Sequence, residues 1–216
     1  MQSIDKCFTS FHTDHMGIKF SFAQVSSILE SVHRIAPVHS SAFRARLKHL
    51  QRLGFPSGIN TGKGKAAAYG FRELMMLAVA LQLIEIGMSP EKATGICQAN
   101  ESDIVRYTVK AINLANSDKK MEYFLVVHHS SLENLRAERE EDQHDDYRQS
   151  AIVIGHTELS RLLANKLSPF ERLSIVSLHV LILSIYGGAT KEGLNIGESI
   201  ADSIVELINH DQHPQT

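Results

Sequence analysis

Between Glu30 and Glu73 the chain carries Arg34, Arg44, Arg46, Lys48, Arg52, Lys63, Lys65 and Arg72 and no acid, a charge of +8 in 42 residues. Cations at that density, with no carboxylate among them, suit the phosphates of a polyanion. From residue 73 onward the sign reverses: 12 of the 22 bases remain against 21 of the 24 acids, gathered around "EREEDQHDDYR". The net charge of −2 hides this sorting. A basic block beside an acidic remainder is the pattern of a polyanion-binding module joined to a different second part.

Other chemistries fit less well. "GFPSGINTGKGKAAAYGFREL" resembles a phosphate-cradling loop, but Gly58 and Gly62 enclose three residues rather than four, Gly64 follows Lys63, and no apolar strand precedes it. Two cysteines, Cys7 and Cys97, are too few for a zinc cluster or a disulfide framework. His128, His129, His144 and His156 repeat no known ligand spacing, so no metal is expected. His179, inside an apolar run, reads as a satisfied core histidine. Asp142, Asp145 and Asp146 read as a solvated face, and nothing places a nucleophile beside a base, so neither catalysis nor a cofactor is expected. The N-terminus lacks the basic start and apolar run of a signal peptide, and no greasy segment reaches the roughly 20 residues of a membrane span. A cytoplasmic location is the expectation.

The elements that must position the cations follow from apolar periodicity. "FSFAQVSSILESVH" places Phe22, Val25, Ile28, Leu29 and Val32 at helical spacing, and Pro37 stops that helix. "SSAFRARLKHLQRLG" has serines suited to an N-cap, a stripe of Phe43, Leu47 and Leu50, and Gly54 as its stop. At 100° per residue Ser41, Arg44, Ala45, Lys48 and Arg52 fall opposite the stripe. Two short helices with a tight join and a basic outward face describe a helix-turn-helix. "FRELMMLAVALQLIEIG" reads as a buried central helix, Ser89 and Pro90 open another, and "ESDIVRYTVKAINLANS" reads as a further one. Beyond them "EYFLVV" and "SAIVIG" read as strands and "HTELSRLLANKL" as an amphipathic helix. "RLSIVSLHVLILSIYGGAT" fits either a strand leading into a helix or one buried helix. A last helix would align Ile196, Ile200, Ile204 and Leu207 or Ile208.

In its order of elements the segment from Phe20 to Asn100 resembles the winged-helix DNA-binding domain of the MerR family. The likeness rests on "LQRLGF", "YGFRELMML" and "IGMSPEKA". It implies a recognition helix using Ser41, Arg44, Arg46, Lys48, His49 and Arg52, and a wing using Lys63 and Lys65 with Tyr69 and Arg72 behind it. The chain departs from the family at Ala66, Ala67 and Ala68, where the wing usually carries an aromatic and two arginines. It departs again at Lys48 and His49, which replace an arginine and a tyrosine. The family's long pairing helix and metal-sensing cysteines are also missing.

The expectation is therefore a mainly α chain: a flexible arm at 1–19, a winged helix-turn-helix with a following helix at 20–117, and a small α+β dimerisation or partner domain with its own core at 118–216. Its expected partners are double-stranded DNA and a second copy of itself, in a sequence-specific transcriptional regulator that is not an enzyme. An architectural or excisionase-like accessory factor is one alternative. A small-ligand sensor or enzyme with a DNA-targeting arm is the alternative of another class.

Overall fold

The computed structural model describes residues 19–59, 67–115, 122–128, 150–165, 172–194 and 196–197. Among them are seven α-helices and one three-stranded antiparallel sheet, the latter in the C-terminal half. The first helix, α1 (Phe22–Val32), opens with a reciprocal cap. Ser21 Oγ accepts from the Gln24 N–H at 3.3 Å, and Gln24 Oε1 accepts from the Ser21 N–H at 2.8 Å. Val25, Ile28 and Leu29 form its buried stripe, with Phe22 and Val32 packed at the margins.

The chain leaves α1 through Arg34, at φ 51°, and makes one 3-10 turn, Pro37–His39, before α2 (Ser40–Arg52). The serines do not cap α2, as their type had suggested. His39 is its N-cap and makes no side-chain capping bond, and the Ser40 hydroxyl instead donates to Glu30 of α1 at 2.8 Å. Phe43, Leu47 and Leu50 are buried as the periodicity requires, and Gly54 at φ 76° turns the chain out of the helix.

Ten of the fifteen residues of α3 (Phe71–Glu85) are buried, so this helix forms the centre of the core. Its start is fixed by Glu73, whose carboxylate accepts from the Gly70 N–H at 2.6 Å. Ser89 caps α4 (Pro90–Ala99) by accepting from the Lys92 N–H at 3.2 Å, and α5 (Glu101–Ala115) follows directly.

The sheet has the order β2-β1-β3, from β1 (Tyr123–His128), β2 (Ala151–Gly155) and β3 (Leu173–Ser177). Leu125 lies opposite both Val153 and Val176, and all three are buried. Helix α6 (His156–Ala164) follows β2, and α7 (Leu178–Lys191) follows β3. The ambiguous apolar run is thus a strand leading into a helix. Ser177 marks the switch by capping α7, accepting from the Val180 N–H at 3.2 Å.

Helix α7 lies on α1. A Cβ at Gly188 would stand 3.1 Å from the Ile28 carbonyl oxygen, so glycine is what lets the two backbones approach. Nearby, the Ser27 hydroxyl donates to Glu192 at 2.7 Å. The buried residues of the helices and of the sheet accordingly form one continuous cluster, where residues 118 onward had been expected to close a core of their own. Ile196 is buried. Ile200, Ile204, Leu207 and Ile208, and all of the N-terminal arm except Lys19, lie outside the described residues. No helix among the described residues is long and apolar enough to cross a membrane.

Candidate nucleic-acid interface

Burial of Phe43, Leu47 and Leu50 fixes the rotation of α2 and turns Ser41, Arg44, Ala45, Lys48 and Arg52 outward, all exposed; Arg46 is exposed too. Among the described residues no acid pairs with Arg46, Lys48 or Arg52. Two further cations of the block, Arg44 and Arg72, are held by acids. Arg44 Nε lies 3.3 Å from Glu30 Oε1, with the arginine side chain half exposed. Glu30 also receives bonds from Ser26 at 2.9 Å and Ser40 at 2.8 Å. Burial works to raise the Glu30 carboxyl. The bonds from Ser40, Ser26 and Arg44, together with the charge of Arg44, outweigh it and hold the group below its ordinary value. A four-residue polar clamp therefore fastens α2 to α1.

Arg72 is likewise engaged: Nη2 lies 2.6 Å from Glu101 at the head of α5, and Nη1 4.0 Å from Glu73. His49 Nε2 stands 3.8 Å from Glu91, with its side chain partly exposed. Tyr69 requires a correction. Its relative exposure is 0%, so its ring cannot lie against a nucleic acid. Gln51 of α2 donates to its hydroxyl, and its backbone pairs with Phe20 through two hydrogen bonds of 2.7 and 3.0 Å. Lys63 and Lys65 lie outside the described residues. Tyr69 itself is tied both to Phe20, two residues ahead of α1, and to the last turn of α2.

Sequence reasoning missed Glu30 and Gln51. Both act across elements, and only Glu30, as the last acid before the basic block, left any trace in the sequence. It also missed His33, buried where α1 ends, with Nδ1 3.3 Å from Glu85 Oε2. Burial pushes the His33 imidazole down, against the opposing pull of Glu85.

Among the other described residues the chemistry is sparse. Burial, reinforced by the charge of Glu101, pushes the Cys97 thiol far up, which leaves it inert. His179, expected to be satisfied, has a buried Nδ1 without a hydrogen-bond partner. His128 is exposed at the end of β1 and lines an open cavity of about 590 Å³ with Asn100 and Asp103. His129, His144, Asp142, Asp145 and Asp146 lie outside the described residues. Comparison of the chain with family models, curated proteins and solved structures finds no match.

Proposed function

We propose that the chain is a sequence-specific, double-stranded DNA-binding transcriptional regulator. In this reading α1 and α2 form a helix-turn-helix of MerR-like winged type, and the glycine- and lysine-rich segment 54–68 serves as the wing. The observation that supports it most is the outward face of α2. Ser41, Lys48 and Arg52 are exposed there on a helix without a single acid, whose opposite side is anchored in the core. Such a face meets phosphates on both sides of a major groove at little desolvation cost. Lys63 and Lys65 add two cations to that wing. Arg44 and Arg72, paired with acids, hold the reading helix and α3 in place, and Tyr69 anchors the wing from within.

One short helix with a wing reads few base pairs, so a second copy is part of the proposal. Residues 118–216 hold the dimer, and its two reading helices meet inverted half-sites about one helical turn, or a multiple of it, apart. Because α7 is packed on α1, the unit to test is the full-length chain. Its affinity for duplex DNA is measured at stepped salt. Binding should weaken steeply as salt rises, and Lys63→Ala with Lys65→Ala should weaken it on every sequence and flatten the salt slope by up to about two units. A folded chain that binds no duplex at low salt would falsify the proposal, whereas an unchanged slope in the double variant would reduce segment 54–68 to a linker.

A further inference from the structure

The outward face of α2 is not uniform along its length. Its trailing half carries Lys48 and Arg52. Its leading end and the 3-10 turn ahead of it carry no charge between Arg34 and Arg44, and show solvent Val38, Ser41, Ala42 and Ala45, at positions i, i+3, i+4 and i+7. Val38 is 79% exposed, the highest value among the large hydrophobic side chains described. It sits on the 3-10 turn that Pro37 opens, just ahead of the first residue of α2. A valine there is outside the core cluster, caps nothing and cannot hold a phosphate. The core does not explain it.

A recognition helix is polar in the same sense: residues at its N-terminal end meet base edges, while cations elsewhere hold the backbone. Of the groups lining a major groove only the C5 methyl of thymine is apolar. Resting on the duplex-DNA reading above, we infer that the apolar leading end of α2, with Val38 foremost and Ala42 and Ala45 behind it, reads thymine methyl groups. Ser41, in their midst, supplies the hydroxyl for an adjacent base edge or phosphate. The preferred half-site then contains thymine at one or two fixed positions, recognised by shape and apolar contact rather than by hydrogen bonds. Lys48 and Arg52, some 15–20 Å further along the axis, set the register on the backbone.

The test uses the full-length chain and duplexes that it recovers from a random-sequence library. Each recovered thymine is replaced in turn by deoxyuridine, which removes the methyl and leaves every hydrogen-bonding group in place. Methyl removal at one or two positions should weaken binding about three- to five-fold, the scale of one buried methyl. In the Val38→Ala chain the same replacements should cost little further. The inference is overturned if every thymine tolerates deoxyuridine, or if the penalty persists undiminished in Val38→Ala. It is also overturned if Val38→Ala weakens thymine and deoxyuridine duplexes alike, as loss of a contact to a second copy or another protein would do. A chain that recovers no duplex overturns the DNA reading as well. One that binds a defined sequence without methyl dependence overturns this inference alone.

Discussion

Helices α2 and α7 both pack on α1 and both turn a second face to solvent, but the two are fastened and finished in opposite ways. Helix α2 is tied by the Glu30 clamp and shows the solvent arginine and lysine side chains. Helix α7 is seated by the backbone approach at Gly188. It shows the solvent Val180, Leu183 and Tyr186, and its one charge is its last residue, Lys191. The contrast teaches that a helix with a cationic outer face can be held by polar bonds at its rim. A helix seated through glycine must instead satisfy a steric condition, and an uncharged outer face suits it to an apolar neighbour.

The largest expected effect is on assembly. If the outer face of α7 belongs to the dimer surface, Val180→Glu with Leu183→Glu should convert a dimer into a monomer in sedimentation velocity at micromolar concentration. A dimer that persists in this variant would move the interface away from α7. Next come the two adjacent glycines. Gly188→Val pushes a side chain toward the Ile28 carbonyl and should cost about 1–3 kcal/mol in urea unfolding. Gly187→Ala meets open space and should instead stabilise the helix by up to about 1 kcal/mol. Equal effects at the two positions would contradict the seating of α7 on α1.

On the α2 side, Glu30→Ala strands Arg44, Ser40 and Ser26 and should cost about 1–2 kcal/mol. Since the folded carboxyl is held below its ordinary value, its contribution is complete above the ordinary carboxylate range and is lost as pH falls through the lowered folded value. Glu30→Gln should therefore be less stable than the parent at neutral pH and converge on it in acid. A constant difference at all pH values would remove Glu30 as a charged clamp.

Much of this contrast was legible before any coordinates. The stripes of α1, α2 and α3, and the stop at Gly54, follow from periodicity and backbone chemistry that a single segment encodes. What stayed hidden depends on pairs far apart in the chain. Gly188 is one of two adjacent glycines in a helical pattern until Ile28 lies against it, and Tyr69 is an aromatic beside a basic loop until Phe20 and Gln51 bury it. Arg44 and Arg72 look equivalent to Arg46 and Arg52 in sequence, and differ because Glu30 and Glu101 fold beside the first pair. The β3-to-α7 switch at Ser177 was undecidable from hydrophobicity, since both elements are apolar and the cap that separates them is one hydroxyl.

The central claim, that the outward face of α2 holds a nucleic acid, is tested most directly by Lys48→Ala with Arg52→Ala in the full-length chain. Duplex affinity is measured across a salt series beside the parent, with circular dichroism as the check on folding. The account predicts an intact fold, weaker binding to all duplexes at low salt, and a salt slope shallower by about two units, one for each lost phosphate contact. A folded double variant with the affinity and slope of the parent would contradict it.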